Sequence, residues 1–267
     1  MGRPKRRLSQ NFLSDPRLLD RIAQASGATA SDTVLEIGPG LGGLTAPLAA
    51  RAGRVIAIEK DRDLAGELAG RWSNVEVITG DALELDWHAL AGSGALITGN
   101  IPYHITSPLI DKALQPPRPP RIVFLVQSEV AERVAAAPGT ESYGALSAGV
   151  QAVAQARRLF GIPRGAFRPV PRVDSAVLSL VPLEVPIVSD EQLPAFRRVV
   201  VGLFGFRRKQ LLRGLRELTG WPAERVQQML EALRFDPTRR PETLTPAELA
   251  ALTTQLVDAG WQVGERS

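Results

Sequence analysis

Residues 33–45 read TVLEIGPGLGGLT, and this stretch decides the fold. Its first five residues form an apolar, β-branched run of strand length, and the glycines after them open onto LTAPLAARA (44–52), which has helical spacing. Gly38, Gly40 and Gly43 satisfy G-x-G-x-x-G between that strand and that helix. Glycine there lets the backbone turn tightly and approach a ligand. The helix N-terminus that follows favours an anionic group, whether a pyrophosphate or the carboxylate of a methionine moiety. Gly53 is placed to close the helix.

Outward from this stretch, RVIAIE (54–59), VEVIT (75–79), ALITGN (95–100) and IVFLVQ (122–127) repeat the strand pattern, with DLAGELAGRW (63–72) and SPLIDKAL (107–114) as helices between them. This alternation predicts a parallel sheet covered on both faces. An earlier helix starts near Pro16, capped by Ser14 or Asp15 and burying Leu18, Leu19 and Ile22. After residue 150, ARRLFGI (156–162) and SAVLSLVP (175–182) follow each other without the helix a parallel crossover needs, which predicts an antiparallel pair at one end of the sheet. From about Val185 the strands stop and helical segments follow, separated by Gly205, by Gly220 to Pro222 and by DPTRRPETLTP (236–246). The expected domains are therefore residues 1–184 and 185–267.

The 267 residues include no cysteine, which excludes disulfides, thiolate metal sites and cysteine nucleophiles. His88 and His104 are the only imidazoles, so no metal site is expected. LSQNFLSDP near the start has no signal-peptide core, and no apolar run reaches the ~20 residues of a membrane span, so the expectation is a cytoplasmic protein with no membrane partner, monomeric. The formal charge of +4 gathers in three places: Arg3, Lys5, Arg6 and Arg7; Arg164, Arg168 and Arg172; and seven cations from Arg197 to Arg216. Such clusters suit a polyanionic partner.

Glu59 ends the second strand about 20 residues after the glycines, where an acid binds ribose hydroxyls, a pattern that an NAD oxidoreductase also fits. Asp81, in TGDAL at the end of the third strand, is placed to accept from an adenine amino group beside the flat, apolar Ala82. These two residues move the reading toward S-adenosylmethionine. Asn100 then ends the fourth strand inside GNIPYHITSP (99–108). Asn-x-Pro-Tyr resembles the (Asp/Asn)-Pro-Pro-(Tyr/Phe) signature of methyltransferases that act on amino groups attached to planar rings. An amine conjugated to a ring is a poor nucleophile because its lone pair is delocalised. Acceptors on Asn100 and on the Ile101 or Pro102 carbonyl would turn that lone pair toward a methyl donor, Pro102 supplying a fixed φ and Tyr103 a stacking face. The mechanism needs no catalytic histidine, and His104 is expected at the rim or in a structural role.

LSQNFL (8–13), EIGPGLGGLT (36–45), IEKD (58–61), GDAL (80–83), NIPYHITSP (100–108), LVQSEVAERV (125–134), FRPVPRVDSAV (167–177) and FGFRRKQLL (204–212) resemble, in order and spacing, the motifs of the KsgA/Dim1 group of rRNA adenine N6,N6-dimethyltransferases. The resemblance implies an α/β fold: a Rossmann-like class I methyltransferase core with a seven-stranded, mostly parallel sheet, plus a small all-helical C-terminal domain. It implies dimethylation of two adjacent adenosines near the 3′ end of 16S rRNA in a pre-30S ribosomal particle, with S-adenosylhomocysteine as product. Carried over by motif, Asn11 and Leu13 close over the cofactor and join Gly38, Gly40, Glu59, Lys60, Asp81, Ala82 and Asn100. Phe167 stacks on the flipped base opposite Tyr103. The tail departs from the pattern, with Gln210 after the lysine where the family carries threonine, which removes any role for that hydroxyl.

In FRRKQLLRGLREL (206–218), Leu211, Leu215 and Leu218 recur at helical spacing, which predicts one helix presenting Arg207, Arg208, Lys209, Arg213 and Arg216 to rRNA. Rival readings are a 23S rRNA adenine methyltransferase of the erythromycin-resistance type, which shares the glycine loop and NIPY, and a non-catalytic ribosome assembly factor. FRPVPRVDSAV and RRKQLL favour the 16S branch, and an intact Asn100, Pro102 and Tyr103 favours catalysis.

Overall fold

Apolar strands that run Val34, Leu35, Ile37 and Val55, Ile56, Ala57, Ile58 are buried on both faces, as the sheet predicted from their composition requires. The computed structural model describes residues 11–261; the basic run from Arg3 to Arg7 and the first three residues of LSQNFL lie outside them. The strands are β1 (Phe12–Leu13), β2 (Thr33–Ile37), β3 (Arg54–Glu59), β4 (Val75–Thr79), β5 (Leu96–Asn100), β6 (Ile122–Gln127), β7 (Ala154–Ile162), β8 (Phe167–Arg168) and β9 (Ser175–Pro182). The helices are α1 (Pro16–Ser26), α2 (Thr45–Ala49), α3 (Arg62–Leu68), α4 (Trp87–Ala91), α5 (Thr106–Ala113), α6 (Ser128–Ala135), α7 (Ala145–Gln151), α8 (Leu193–Gly205), α9 (Leu211–Thr219), α10 (Ala223–Ala232) and α11 (Pro246–Asp258).

The main sheet has the order β4-β3-β2-β5-β6-β9-β7. β2 pairs in parallel with both β3 and β5, so the connections diverge to either side of it and leave a crevice at the carboxyl ends of β2 and β5. The glycine loop follows β2, and Asn100 closes β5. The two late strands do lie at one end of the sheet, but β9, the later in sequence, inserts between β6 and β7 and runs antiparallel to β6. A separate two-stranded ladder pairs β1 with β8.

The Asp15 carboxylate accepts from the amides of Arg17 (2.9 Å) and Leu18 (3.4 Å), capping α1 ahead of Pro16, and Ile22 is buried beneath it. Gly53 does not close α2, which ends at Ala49. A Cβ on Gly53 would meet the Ala30 carbonyl oxygen at 2.4 Å, so the glycine serves a close backbone approach instead.

The chain divides into two compact units, one of residues up to Ala131 with Gln155–Pro182, the other of Glu132–Ala154 with residues from Leu183 on. The expected boundary at 184/185 thus falls beside the break after Pro182, but a first domain continuous over 1–184 is corrected. Residues 132–154 join the second unit because α7 packs on α8 and the Tyr143 ring meets Phe204 edge-on at 5.7 Å. In that unit Thr245 and Glu248 form a reciprocal capping box on α11, and Glu248 also holds the Arg239 guanidinium at 2.6 Å. Among the described residues no helix is long and apolar enough to cross a membrane.

Candidate active site

A cavity of about 270 Å³ opens at the carboxyl ends of β2 to β5 and gathers residues from every expected cofactor motif, among them Asn11, Gly38, Gly40, Glu59, Lys60, Asp81, Ala82 and Asn100. Gly40 has φ 59°, and a Cβ there would sit 2.8 Å from the Phe12 ring, so neither the turn nor the approach of Phe12 tolerates a side chain. Glu59, 6% exposed, accepts from the amide of Gly40 through Oε2 (3.0 Å) and from that of Asp61 through Oε1 (2.8 Å). Burial raises its carboxyl above the ordinary range while those backbone amides oppose the rise. Each oxygen keeps a lone pair, an acceptor pair to which the two hydroxyls of a ribose diol can donate.

Asp81 accepts the Lys60 ammonium at 2.6 Å through Oδ2 and the Leu83 amide at 2.9 Å through Oδ1. The Lys60 hydrogen bond is the main reason its carboxyl lies below the ordinary range. Lys60 therefore reaches the site through Asp81. The loop beyond is stitched by residues that sequence reasoning missed. Trp87 Nε1 donates to the Ala82 carbonyl at 2.8 Å, and Lys112 Nζ donates to the carbonyls of Leu83 and Leu85, each at 2.7 Å. The Lys112 ammonium also lies 5.4 Å from the Trp87 ring centre, and burial lowers its pKa. No local signal marks Lys112, which sits on α5, 29 residues from Leu83.

On the opposite wall, Asn100 Nδ2 donates to the Asn11 carbonyl at 2.9 Å, which leaves Oδ1 as an acceptor. Pro102, Tyr103 and His104 line the same cavity. The Tyr103 hydroxyl lies 2.8 Å from Ser175 Oγ, and burial raises its pKa.

Two expected residues are not brought here. Phe167 is 0% exposed and packs in the core with Ile22, Leu125 and Val177, because the β1–β8 ladder sets it opposite Leu13 and turns it inward; its stacking role is withdrawn. Leu13 lines a second, apolar cavity of about 490 Å³ with Leu44 and Leu125. Phe12, its neighbour on the opposite face of β1, borders both cavities, so it and not Leu13 reaches the cavity that holds Glu59 and Asp81. The signal was present in QNFL, between the two residues singled out.

Glu36, directly before the glycine loop, is 1% exposed, and neither carboxyl oxygen has a hydrogen-bond partner; the neighbouring Thr45 hydroxyl is also unpartnered. Burial pushes its pKa up to about 8, and the Glu59 carboxylate adds to the rise.

In the second unit, α9 begins only at Leu211, so Arg207, Arg208 and Lys209 occupy the turn after α8 and not one continuous helix. At the start of α9 the Leu211 amide donates to the Arg239 carbonyl at 2.7 Å. Leu211 and Leu215 are buried as expected. Lys209 pairs with Glu217 at 2.8 Å and Arg207 donates to the Glu141 carbonyl at 2.7 Å, whereas Arg208, Arg213 and Arg216 are exposed.

With this geometry in place, a family model described as ribosomal RNA adenine dimethylase matches residues 1–254. The chain belongs to that family. Among similar members, a ribosomal RNA small subunit methyltransferase A from Pelotomaculum thermopropionicum is 43% identical, the match covering 97% of this chain and 93% of that protein. Its counterpart from Anaeromyxobacter dehalogenans is also 43% identical, over 95% and 94%. A dimethyladenosine transferase from Plasmodium falciparum has a similar structure, with TM-score 0.82 and 27% identity over 94% of this chain and 98% of that one. The 23S rRNA methyltransferase ErmE follows at TM-score 0.70 and 28% identity over 92% and 99%. The dimethylase fold is thus Rossmann-like, and the higher identity to small-subunit enzymes favours that branch over the 23S one.

Proposed function

We propose that the chain transfers methyl groups from S-adenosylmethionine to the exocyclic amines of two adjacent adenosines near the 3′ end of 16S rRNA in a pre-30S particle, giving N6,N6-dimethyladenosine. It acts as a cytoplasmic monomer without a metal. The observation that carries this reading is the orientation of Asn100: its amide nitrogen donates to the Asn11 carbonyl, which leaves its oxygen to accept in the cavity that also holds Glu59 and Asp81.

The residues fit the cofactor on structural grounds. The buried Glu59 carboxylate suits a ribose diol, Asp81 beside Ala82 suits an adenine amine and ring, and the glycine loop admits a ligand where any side chain would collide with Phe12. S-adenosylmethionine supplies a methyl group already activated on a sulfonium. Asn100 Oδ1 and a backbone carbonyl of Ile101 or Pro102 accept the two N–H groups of the target amine, which localises its lone pair. Tyr103, braced by Ser175, offers the base a ring face. Positioning supplies most of the rate, and the amine proton leaves to water after transfer. In the helical unit Arg208, Arg213 and Arg216 meet rRNA phosphates, with Arg207 and Lys209 beside them.

Tritiated methyl transfer to purified 30S subunits lacking the modification, followed by nucleoside analysis, tests the proposal. Labelled dimethyladenosine is expected, and its absence with active cofactor defeats the reading.

A further inference from the structure

The loop from Pro163 to Asp174, which joins β7 to β9, carries Arg164, Arg168 and Arg172, all exposed. None of the three pairs with a carboxylate among the described residues. The loop's single acid, Asp174, instead accepts the backbone amide of Arg164 at 2.8 Å. Two of the guanidinium groups are held by neutral carbonyls: Arg168 Nη1 donates to those of Gly165 (2.9 Å) and Phe167 (2.8 Å), and Arg164 Nη1 to that of Arg172 (3.4 Å). A guanidinium anchored in this way keeps its whole charge and most of its N–H groups, yet has less freedom left to lose on meeting an anion. Val170 and Val173, interleaved with the arginines, are 54% and 40% exposed.

The loop is tied to the active site from both ends. On one side β8 pairs with β1, whose neighbour Asn11 orients Asn100, and the Ser14 amide donates to the Ala166 carbonyl at 3.3 Å. On the other, Ser175 follows Asp174 directly and meets the Tyr103 hydroxyl. Arg168 and Pro169 line the second cavity together with Asn100.

We propose that the 163–174 loop is a further rRNA-binding surface, on the catalytic unit, where Arg164, Arg168 and Arg172 hold phosphates flanking the target adenosine and Val170 and Val173 pack on sugars or bases. The inference rests on the rRNA methyltransferase reading above. RNA is the occupant because the rim sets three arginines against a single acid, Asp174, which is turned to the Arg164 backbone amide, and arginine matches phosphate bidentately.

The test compares wild type with Arg172→Gln, whose guanidinium has no partner among the described residues, and with the Arg164→Gln, Arg168→Gln, Arg172→Gln triple variant. KM for unmodified 30S subunits, affinity for naked 16S rRNA across a salt series, and calorimetric S-adenosylmethionine affinity are measured. The single change should raise KM about threefold and the triple change roughly tenfold or more at moderate salt. The slope of log affinity against log salt should fall by somewhat under one unit per arginine. Turnover at saturating subunit and cofactor affinity should stay at wild-type levels, which also certifies the fold. Unchanged KM and salt slope in the triple variant overturn the inference. A loss seen on 30S subunits but not on naked rRNA also overturns it, because the partner is then a ribosomal protein. Failure of the wild type itself to methylate 30S subunits overturns the underlying activity instead.

Discussion

The two walls of the cleft are built differently. On the cofactor wall each recognition group is already bonded within the protein: both Glu59 oxygens take backbone amides, both Asp81 oxygens are engaged, and the loop after Asp81 is fastened by Trp87 and Lys112. On the substrate wall, Asn100 is held through its nitrogen alone and Tyr103 through its hydroxyl. One wall is a finished binding surface whose shape precedes its ligand. The other keeps Asn100 Oδ1 as an acceptor; under the proposed function its donor is the reacting amine, so its contribution should appear in turnover and not in affinity.

The largest effect should come from breaking the substrate wall. Asn100→Ala is expected to lower kcat on the order of 10³-fold while leaving 30S affinity near normal, as for other groups that act mainly in the transition state. Single-turnover methyl transfer reads this directly, and near-normal turnover sinks the assigned role.

On the cofactor wall the expected signature is the reverse. Glu59→Ala should weaken S-adenosylmethionine binding by roughly 1 to 3 kcal/mol, since it strands buried donors, and leave KM for 30S subunits unchanged. Calorimetry checks the first half and steady-state kinetics the second.

Lys112→Met sharpens the contrast, because Lys112 contacts the wall from behind. It should release the 81–87 loop and raise the cofactor Kd about threefold to tenfold, the scale of one or two net hydrogen bonds, with kcat at saturation retained. An equal loss in kcat would instead place Lys112 in the chemistry.

The smallest effect concerns Glu36, buried in β2 directly before the glycine loop. Its carboxyl, at about 8 in the fold against an ordinary 4.5, is protonated in the folded chain where the unfolded chain has released its proton. Stability from this group is complete at low pH and falls as pH rises between about 5 and 8. Glu36→Gln should flatten that part of the Tm–pH profile by differential scanning calorimetry. A profile unchanged from wild type would show that Glu36 is ionised in the fold.

Much of this was legible in sequence because it depends on local rules. Strand and helix alternation, the Asp15 cap and the glycine turn are each set by residues within a few positions of one another, and they located Glu59, Asp81 and Asn100 at strand ends. Phe167 escaped that logic. An aromatic residue in a proline-rich loop reads the same whether it faces solvent or core, and only its pairing with Leu13 turned it inward. Lys209 looked like a free cation until folding brought Glu217 within 2.8 Å.

By itself the sequence determined the parallel sheet, its five parallel strands and the larger helices between them, the line of polar groups along one rim and the family, since these follow from hydrophobic period and from motifs read in order. Only the tertiary structure decided that β9 slips between β6 and β7, that residues 132–154 join the helical unit, that Phe12 and not Leu13 lines the cavity with Glu59, and that Lys112 fastens the loop after Asp81. The physical reason is common to all four. Each is a contact between segments distant in the chain, fixed by which partner buries apolar surface or satisfies a polar group, and no local pattern encodes the partner's identity.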